Sequence, residues 1–353
     1  MTEMLVRKDR LREFRFAPEA AALADGQALL RLTRFALTSN NVTYAAIGDG
    51  FGYWKFFPAA DGWGRVPAWG FADVEASNAV DLGIGERIWG YYPIASRLIV
   101  TPAKVTARGF VDGAEHRQGL PPIYNQYERV AADPAYDAAR ENQAALFRPL
   151  FATGFLLDDF LDEHAAFGAK RVALASASSK TALSLAKLLK DRGTVEVVGL
   201  TGAANAAFVE QTGYYDRVVA YDRLGTMPND ADVTLVDMAG SPGVIDALAD
   251  RLGPKFVYNC MVGAAHWDAA REREPKGPPR TLFFAPDRSQ KRLADWGAEG
   301  FAKRYRAAWS GFMATADRWL KVIEDRGEDA VRTRWLALLD GKARPEEGYI
   351  LSL

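Results

Sequence analysis

Cysteine and histidine are nearly missing from this chain. Its one cysteine, Cys260, has no second cysteine to join, which excludes an intrachain disulfide and suits a reducing compartment. With His116, His164 and His266 added, no two of these side chains stand at metal-ligand spacing, and there is no clustered Asp/Glu motif. A structural zinc site takes about four such ligands and a catalytic one about three, so no metal is expected. Charge of one sign is missing too. The 44 Lys and Arg against 45 Asp and Glu leave a formal net charge of -1, with the basic residues dispersed. No global field recruits nucleic acid or an anionic membrane. No apolar run approaches the ~20 residues that span a bilayer. Residues 1–15 mix both charge signs without the apolar core of a signal peptide. The expectation is a cytoplasmic protein with neither nucleic acid nor membrane as partner.

What is present is ordinary globular material: 353 residues, 49% hydrophobic and 25% charged, enough for about two domains with substantial cores. No internal repeat stands out. Up to about residue 104 the chain reads as mostly β, with strands at 27–38, 69–77, 88–92 and 96–101 and a Gly- and aromatic-rich loop at 44–63. Residues 105–141 have no clear period and read as a long functional loop, with Tyr124 and Tyr127 arguing against disorder. From Asn142 to about Val262, helix and strand alternate: helices at 146–163, 179–192, 204–212 and 244–252, and strands at 171–175, 194–200, 217–221, 232–237 and 255–260. That alternation predicts a doubly wound parallel sheet. Trp296, Trp309, Trp319 and Trp335 lie in helical patterns near the end, and 348–353 reads as a closing strand. The acidic Asp158, Asp159, Asp162 and Glu163 read as a solvated helix face.

The strongest site is the first strand-to-helix junction, ASASSKTA at 175–182. A Rossmann turn places glycines here so that backbone can approach a pyrophosphate, and the helix start offers free N–H groups and about half a positive charge. This turn has no glycine. Small residues, Ser176, Ser179 and Ala182, stand at the same pitch, while Ser178, Lys180 and Thr181 add polar contacts for phosphate. A plain serine-capped helix is the bland alternative. A P-loop needs glycine where Ser179 and Leu174 stand, which argues against that reading. At the end of the second strand, Leu200 to Asn205 contains no carboxylate. A carboxylate there would repel a 2′-phosphate by roughly 4 kcal/mol for unit charges about 4 Å apart at an effective dielectric near 20. Its absence permits NADP(H), with Thr201, Asn205 and Tyr221 as neutral donors to that phosphate.

Four stretches carry a common likeness: LGIGERIWG at 82–90, SNNVTYAAIG at 39–48, the serine turn, and GYYDRVVAY at 213–221. Together they resemble the medium-chain dehydrogenase/reductase superfamily, in particular its zinc-free quinone and enone reductases and a related bacterial family of unknown function. The first resembles the hGDRVhG turn, with Glu86 for Asp. The second resembles NxxDxYxxxG, aligning Tyr44 and Gly48 with the Asp lost. The serine turn stands where zinc-free members carry AxxGGxG, and the fourth resembles GADEVINY, whose last Tyr helps bind the adenosine phosphate and matches Tyr221. The resemblance implies that Val262 and Gly263 lay backbone along the nicotinamide carboxamide, and that Phe284 belongs to a segment crossing the same pocket. It implies an α/β fold: a GroES-like, mostly-β catalytic domain (1–141 with a return segment, 290–353) and a Rossmann doubly wound parallel-sheet domain (142–289). Relatives are often dimers or tetramers, which leaves a homodimer open.

In such a reductase the nicotinamide supplies the hydride, and the protein orients it and polarises the acceptor. Tyr44 is the first candidate donor to the acceptor oxygen and Tyr53 the second. Their bland alternative is an aromatic cluster with Phe51, Trp54 and Phe56. His266, just past a strand at the carboxyl edge of the sheet, is a candidate proton donor or a cap on backbone carbonyls. Cys260 reads as buried packing, and His116 and His164 as surface residues. Tyr124 to Tyr127 suit a wall for a flat apolar acceptor and equally a brace of the loop on the body of the protein. The expected activity is NADPH-dependent reduction of an activated C=C or C=O in a quinone- or enone-like small molecule. The alternative is a non-catalytic NADP(H)-binding sensor on the same fold.

Overall fold

The computed structural model describes residues 2–18, 22–238, 240–262 and 276–353, and it forms two compact units, residues 1–146 with 322–353 and residues 147–321. The first unit begins with β1 (Thr2–Arg7), β2 (Arg10–Pro18), β3 (Ala28–Leu37), α1 (Ser39–Ala46), β4 (Trp63–Arg65) and β5 (Pro67–Ser77). Next come β6 (Arg87–Pro93), β7 (Arg97–Val100), β8 (Pro102–Thr106), β9 (Gly109–Asp112) and β10 (Gln126–Arg129). Helix α2 (Glu141–Glu163) leads into the second unit: β11 (Arg171–Ala175), α3 (Lys180–Arg192), β12 (Glu196–Thr201), α4 (Ala203–Gln211), β13 (Arg217–Ala220), β14 (Val233–Asp237), α5 (Pro242–Leu252), β15 (Phe256–Met261), β16 (Arg280–Leu282) and α6 (Ala285–Ala316). The chain then returns through β17 (Lys321–Arg326), α7 (Glu328–Leu339) and β18 (Glu347–Ser352).

In the first unit a large mixed sheet runs β17-β18-β3-β5-β6-β10-β9-β8, with β7 also on β3, beside a small sheet β2-β1-β4. The closing strand expected at 348–353 is β18, antiparallel to β3. Two readings are corrected here. Residues 105–141 are not one loop: β9 and β10 pair with each other, and β10 pairs with β6. These strands are four residues each, too short to imprint a period. Tyr44 does not open a loop either. It lies on α1, which starts at a capping box: Thr38 accepts from the Asn40 N–H, and the Thr38 N–H donates to Asn41 Oδ1 at 2.7 Å.

The second unit is built on a six-stranded sheet, β13-β12-β11-β14-β15-β16, whose pairings are all parallel. This is the doubly wound order that reverses beside its first strand, where ligands bind at the strands' carboxyl ends. All five β11 residues are buried, as strands covered on both faces must be. On α3 the apolar spacing works as expected: Leu183, Ala186 and Leu189 are buried together with Leu185, each leucine contributing about 1.5–3 kcal/mol.

The chain rejoins the first unit at residue 322, and the second unit includes α6. Its Tyr305, Trp309 and Phe312 rings pack 5.3–5.4 Å from Phe151 of α2. The acidic face of α2 is likewise not merely solvated. Asp158 is buried and accepts from Arg192 at 3.1 Å, and Asp159 accepts from Arg288 at 2.6 Å and Arg292 at 2.7 Å.

Candidate functional site

The β11–α3 turn is positioned by its neighbours. The Ala177 N–H donates to Leu200 O at 2.9 Å, and Tyr215 Oη donates to Ala177 O at 2.8 Å. Gly199 makes room for both: a Cβ there would lie 2.9 Å from the Tyr215 ring and 3.0 Å from Ala177 Cβ. Held this way, Ser176 adopts φ 53°, the left-handed conformation that a glycine takes cheaply. Its N–H donates to Tyr221 Oη at 2.8 Å. Ser179 caps α3, its hydroxyl accepting from the Ala182 N–H at 3.2 Å, a contact worth about 1 kcal/mol. Lys180 and Thr181, half-buried, form the first helical turn.

The residues expected at the end of β12 meet the turn. Asn205 Nδ2 donates to Ser178 Oγ at 3.2 Å, and Thr201 Oγ1 stands 3.5 Å from the same oxygen. Ser176, Ser178, Thr201, Asn205 and Tyr221 thus form one neutral, hydroxyl-rich cluster at the carboxyl end of the sheet. Burial raises the Tyr221 phenol above its usual range, so it stays protonated. Val262 donates its N–H to Asp237 O at 2.9 Å just beyond β15, and Phe284 is the residue before α6. Gly263 and His266 lie outside the described residues. Burial first, then the nearby Asp237, pushes the Cys260 thiol up to about 12, which leaves it protonated and unreactive.

In the first unit, Tyr44 and Tyr53 sit in an aromatic cluster with Phe56, Phe57, Tyr91 and Tyr124. Tyr44 is 6% exposed, its hydroxyl accepts from Trp69 Nε1 at 3.3 Å, and its ring centroid is 4.6 Å from that of Tyr53. The Tyr53 and Tyr124 hydroxyls are 3.4 Å apart. Phe51 stacks on Tyr53 at 6.4 Å, whereas Trp54 packs on Gly48 and Gly64 instead. Burial raises the phenols of Tyr44, Tyr53, Tyr91 and Tyr124. All four remain neutral donors, suited to an oxygen that gains negative charge. Trp69 and Tyr91 were readable in sequence only as strand residues. The available signal was aromatic alternation, Trp69/Phe71 and Trp89/Tyr91, on two strands that pair Trp69 with Tyr91 and Phe71 with Trp89. Both histidines read as surface residues, His116 and His164, are exposed, and His116 Nε2 stands 3.2 Å from Phe56 O.

Among the described residues, no group of His, Cys, Asp and Glu could hold a metal ion, and no helix is long and apolar enough to cross a membrane. A family described as "Protein of unknown function (DUF2855)" matches residues 35–344. No curated protein matches the sequence. Among solved structures, CurA from Vibrio vulnificus in complex with NADPH is similar at 14% identity, covering 100% of this chain and 99% of its own, with a TM-score of 0.63. The yhdH oxidoreductase from Salmonella enterica in complex with NADP has 13% identity, covers 100% of both chains and gives 0.57. The CurK enoyl reductase has 11% identity, covers 99% of this chain and 98% of its own, and gives 0.54. Identities this low carry the fold alone: a GroES-like unit and a Rossmann unit.

Proposed function

Since the chain belongs to the family described as "Protein of unknown function (DUF2855)", its activity must be argued from its own residues, and we propose that it is an NADPH-dependent reductase of an activated C=C or C=O. The observation that carries this reading is the turn itself. Ser176 holds a glycine's left-handed geometry without being one, at φ 53°, and a reversed doubly wound sheet puts that turn where dinucleotides seat. The residues present fit such a ligand. Small side chains line the turn, and the hydroxyl and amide groups of Ser178, Thr201 and Asn205 already point at one another. No carboxylate stands at the end of β12 to repel a 2′-phosphate.

In this reading Ser176, Ser178, Ser179, Lys180 and Thr181 hold the diphosphate, and Thr201, Asn205 and Tyr221 the 2′-phosphate. Val262, Gly263 and Phe284 flank the nicotinamide. The bound nucleotide supplies a hydride. The chain's own part is to orient the acceptor and donate a hydrogen bond to its oxygen, for which Tyr44 and Tyr53 are the candidates, with His266 as a proton donor. The NADP(H)-bound CurA and yhdH structures and the enoyl reductase of like fold support the cofactor and reaction class.

One observation favours a second reading, a nucleotide-binding protein without turnover. Tyr44 is buried and its hydroxyl is already engaged by Trp69. Calorimetry with NADPH and NADH, followed by a carbonyl and quinone panel, tests both. NADPH binding tighter than NADH, with stereospecific deuteride transfer from labelled NADPH to an acceptor, is the expected result. Binding without transfer leaves only the second reading, and no nucleotide binding down to a Kd of about 1 mM ends both.

A further inference from the structure

Helix α6 carries its cations in two ways. In its first half Arg288, Lys291 and Arg292 are all neutralised, by Asp159 and Glu163 of α2 and by Asp295. In its second half Lys303, Arg304 and Arg306 are exposed, as is Arg318 just past its end. Among the described residues, no carboxylate pairs with any of these four. Arg304 lies 4.7 Å over the Trp296 ring, which fixes its side chain and leaves its charge unopposed. Asp317 is the only acid from residue 301 to 318. A chain whose formal net charge is -1 thus shows a local positive surplus on one helix face.

Between those cations the face is bare. Its exposed residues are Ala307, Ser310, Gly311 and Ala314, three or four apart or adjacent, as one side of a helix requires. Gly311 is the informative one. It keeps ordinary helical backbone, and a Cβ there would meet nothing within 4 Å. Neither backbone strain nor crowding inside the chain calls for glycine, which is a poorer helix former than any residue except proline. What its missing side chain does allow is the close approach of something from outside. At 1.5 Å per residue, the cations at 303–306 and at 318 stand about 20 Å apart on either side of this gap.

We infer that this face of α6 docks an acidic α-helix of a partner protein, whose carboxylates meet the cations at either end and whose backbone crosses at Gly311. Charge complementarity calls for an anionic partner, and the rest of the face selects its class. A nucleic-acid surface adds exposed rings on which bases stack, but Phe301, Tyr305 and Trp309 turn theirs onto Phe151 and Phe155 of α2. A helix that lies on a membrane sets large apolar side chains beside its cations, and no exposed large apolar residue lies between 294 and 320. A helix with short side chains at the crossing needs neither. The proposal stands independently of the reductase reading.

The test titrates the full chain, at low salt, with a labelled alanine-based helical peptide carrying glutamates at i, i+4 spacing. Its lysine counterpart, duplex DNA and phosphatidylserine vesicles are the comparison probes. The expected result is a glutamate-peptide Kd tighter than about 1 mM, weakened by added salt, with no binding of the lysine peptide. Arg304→Glu combined with Arg306→Glu weakens the glutamate peptide at least about tenfold. Gly311→Leu does the same, while its unfolding midpoint stays level or rises because leucine is the better helix former. That variant carries the decision, since attraction between opposite charges alone would survive it. A Kd weaker than about 1 mM, peptide binding unchanged in Gly311→Leu, or tighter binding of DNA or vesicles than of the peptide overturns the proposal. Self-association of the wild-type chain that Gly311→Leu abolishes overturns it too, by giving the face to a second copy.

Discussion

Replacing Ser176 with glycine tests the dinucleotide turn most directly. At φ 53° a side chain carries a left-handed penalty, about 1–2 kcal/mol. Glycine removes it but adds unfolded-state freedom worth about 0.5–1 kcal/mol. The balance is a gain of about 0.5–1 kcal/mol, or about 1–4 °C in the midpoint of a unit this size. Without its Cβ the turn also admits a phosphate more closely. One improved hydrogen bond, about 1 kcal/mol, corresponds to roughly fivefold tighter NADPH binding. Ser176→Ala is the control, since it keeps the Cβ and its strain and loses only the hydroxyl. Its midpoint should stay within about 0.5 kcal/mol of wild type. Differential scanning calorimetry and NADPH titration on the three proteins supply the numbers. A lower midpoint for Ser176→Gly, or NADPH binding weakened fivefold or more, would refute the argument: the first would mean that the turn is unstrained, the second that the serine hydroxyl itself is the contact.

Two further outcomes follow from other contacts. Tyr221→Phe removes the acceptor of the Ser176 N–H, at 2.8 Å in the wild type. It should cost about 1 kcal/mol in the free protein and more with saturating NADPH, because the proposed reading also makes this phenol a donor to the 2′-phosphate; a cost that is equal or smaller with nucleotide counts against Tyr221 as a phosphate contact. Arg288 and then Lys291 hold the Glu163 carboxyl down to about 2, from an unfolded value of 4.5. Its stabilising contribution is therefore complete above about pH 4.5 and is lost as pH falls through about 2; melting temperatures recorded from pH 6 to 2 should fall less steeply for Glu163→Gln than for wild type, and parallel curves would place the acid sensitivity elsewhere.

How much of this was legible in the sequence depended on the distance between partners. The strands of the Rossmann unit declared themselves because each is a short apolar run buried on both faces, as Val172 to Ala175 are, and burial of that kind needs no knowledge of what lies opposite. The carboxylates of α2 misled because their partners stand far along the chain: Asp158 meets Arg192, and Asp159 meets Arg288 and Arg292. A run of acids looks solvated until the fold supplies the cations. Residues 105–141 misled for a related reason. β9 and β10 are held by pairing and by the buried Asp112–Arg117 bridge, neither of which leaves a periodic trace. The site divides along the same line. The serines and the neutral end of β12 could be read locally, whereas Trp69 and Tyr91 gain meaning only through strand register.

The turn and the phenol cluster make the same physical point from opposite sides. At Ser176 the backbone is held in an unfavourable conformation by surroundings that leave it little choice. Ala177 is bonded on both its N–H and its carbonyl, and Gly199 leaves the space that Ala177 and Tyr215 occupy. Strain that persists because neighbours over-determine it is what a preorganised binding turn stores. At Tyr91 the cost is a polar group kept dry and unbonded. Neither feature helps the free protein fold, and each would be removed by a one-residue change, serine to glycine or tyrosine to phenylalanine. Under the proposed reading the strained turn's amides take a phosphate, which is why the Ser176 substitutions test that reading directly.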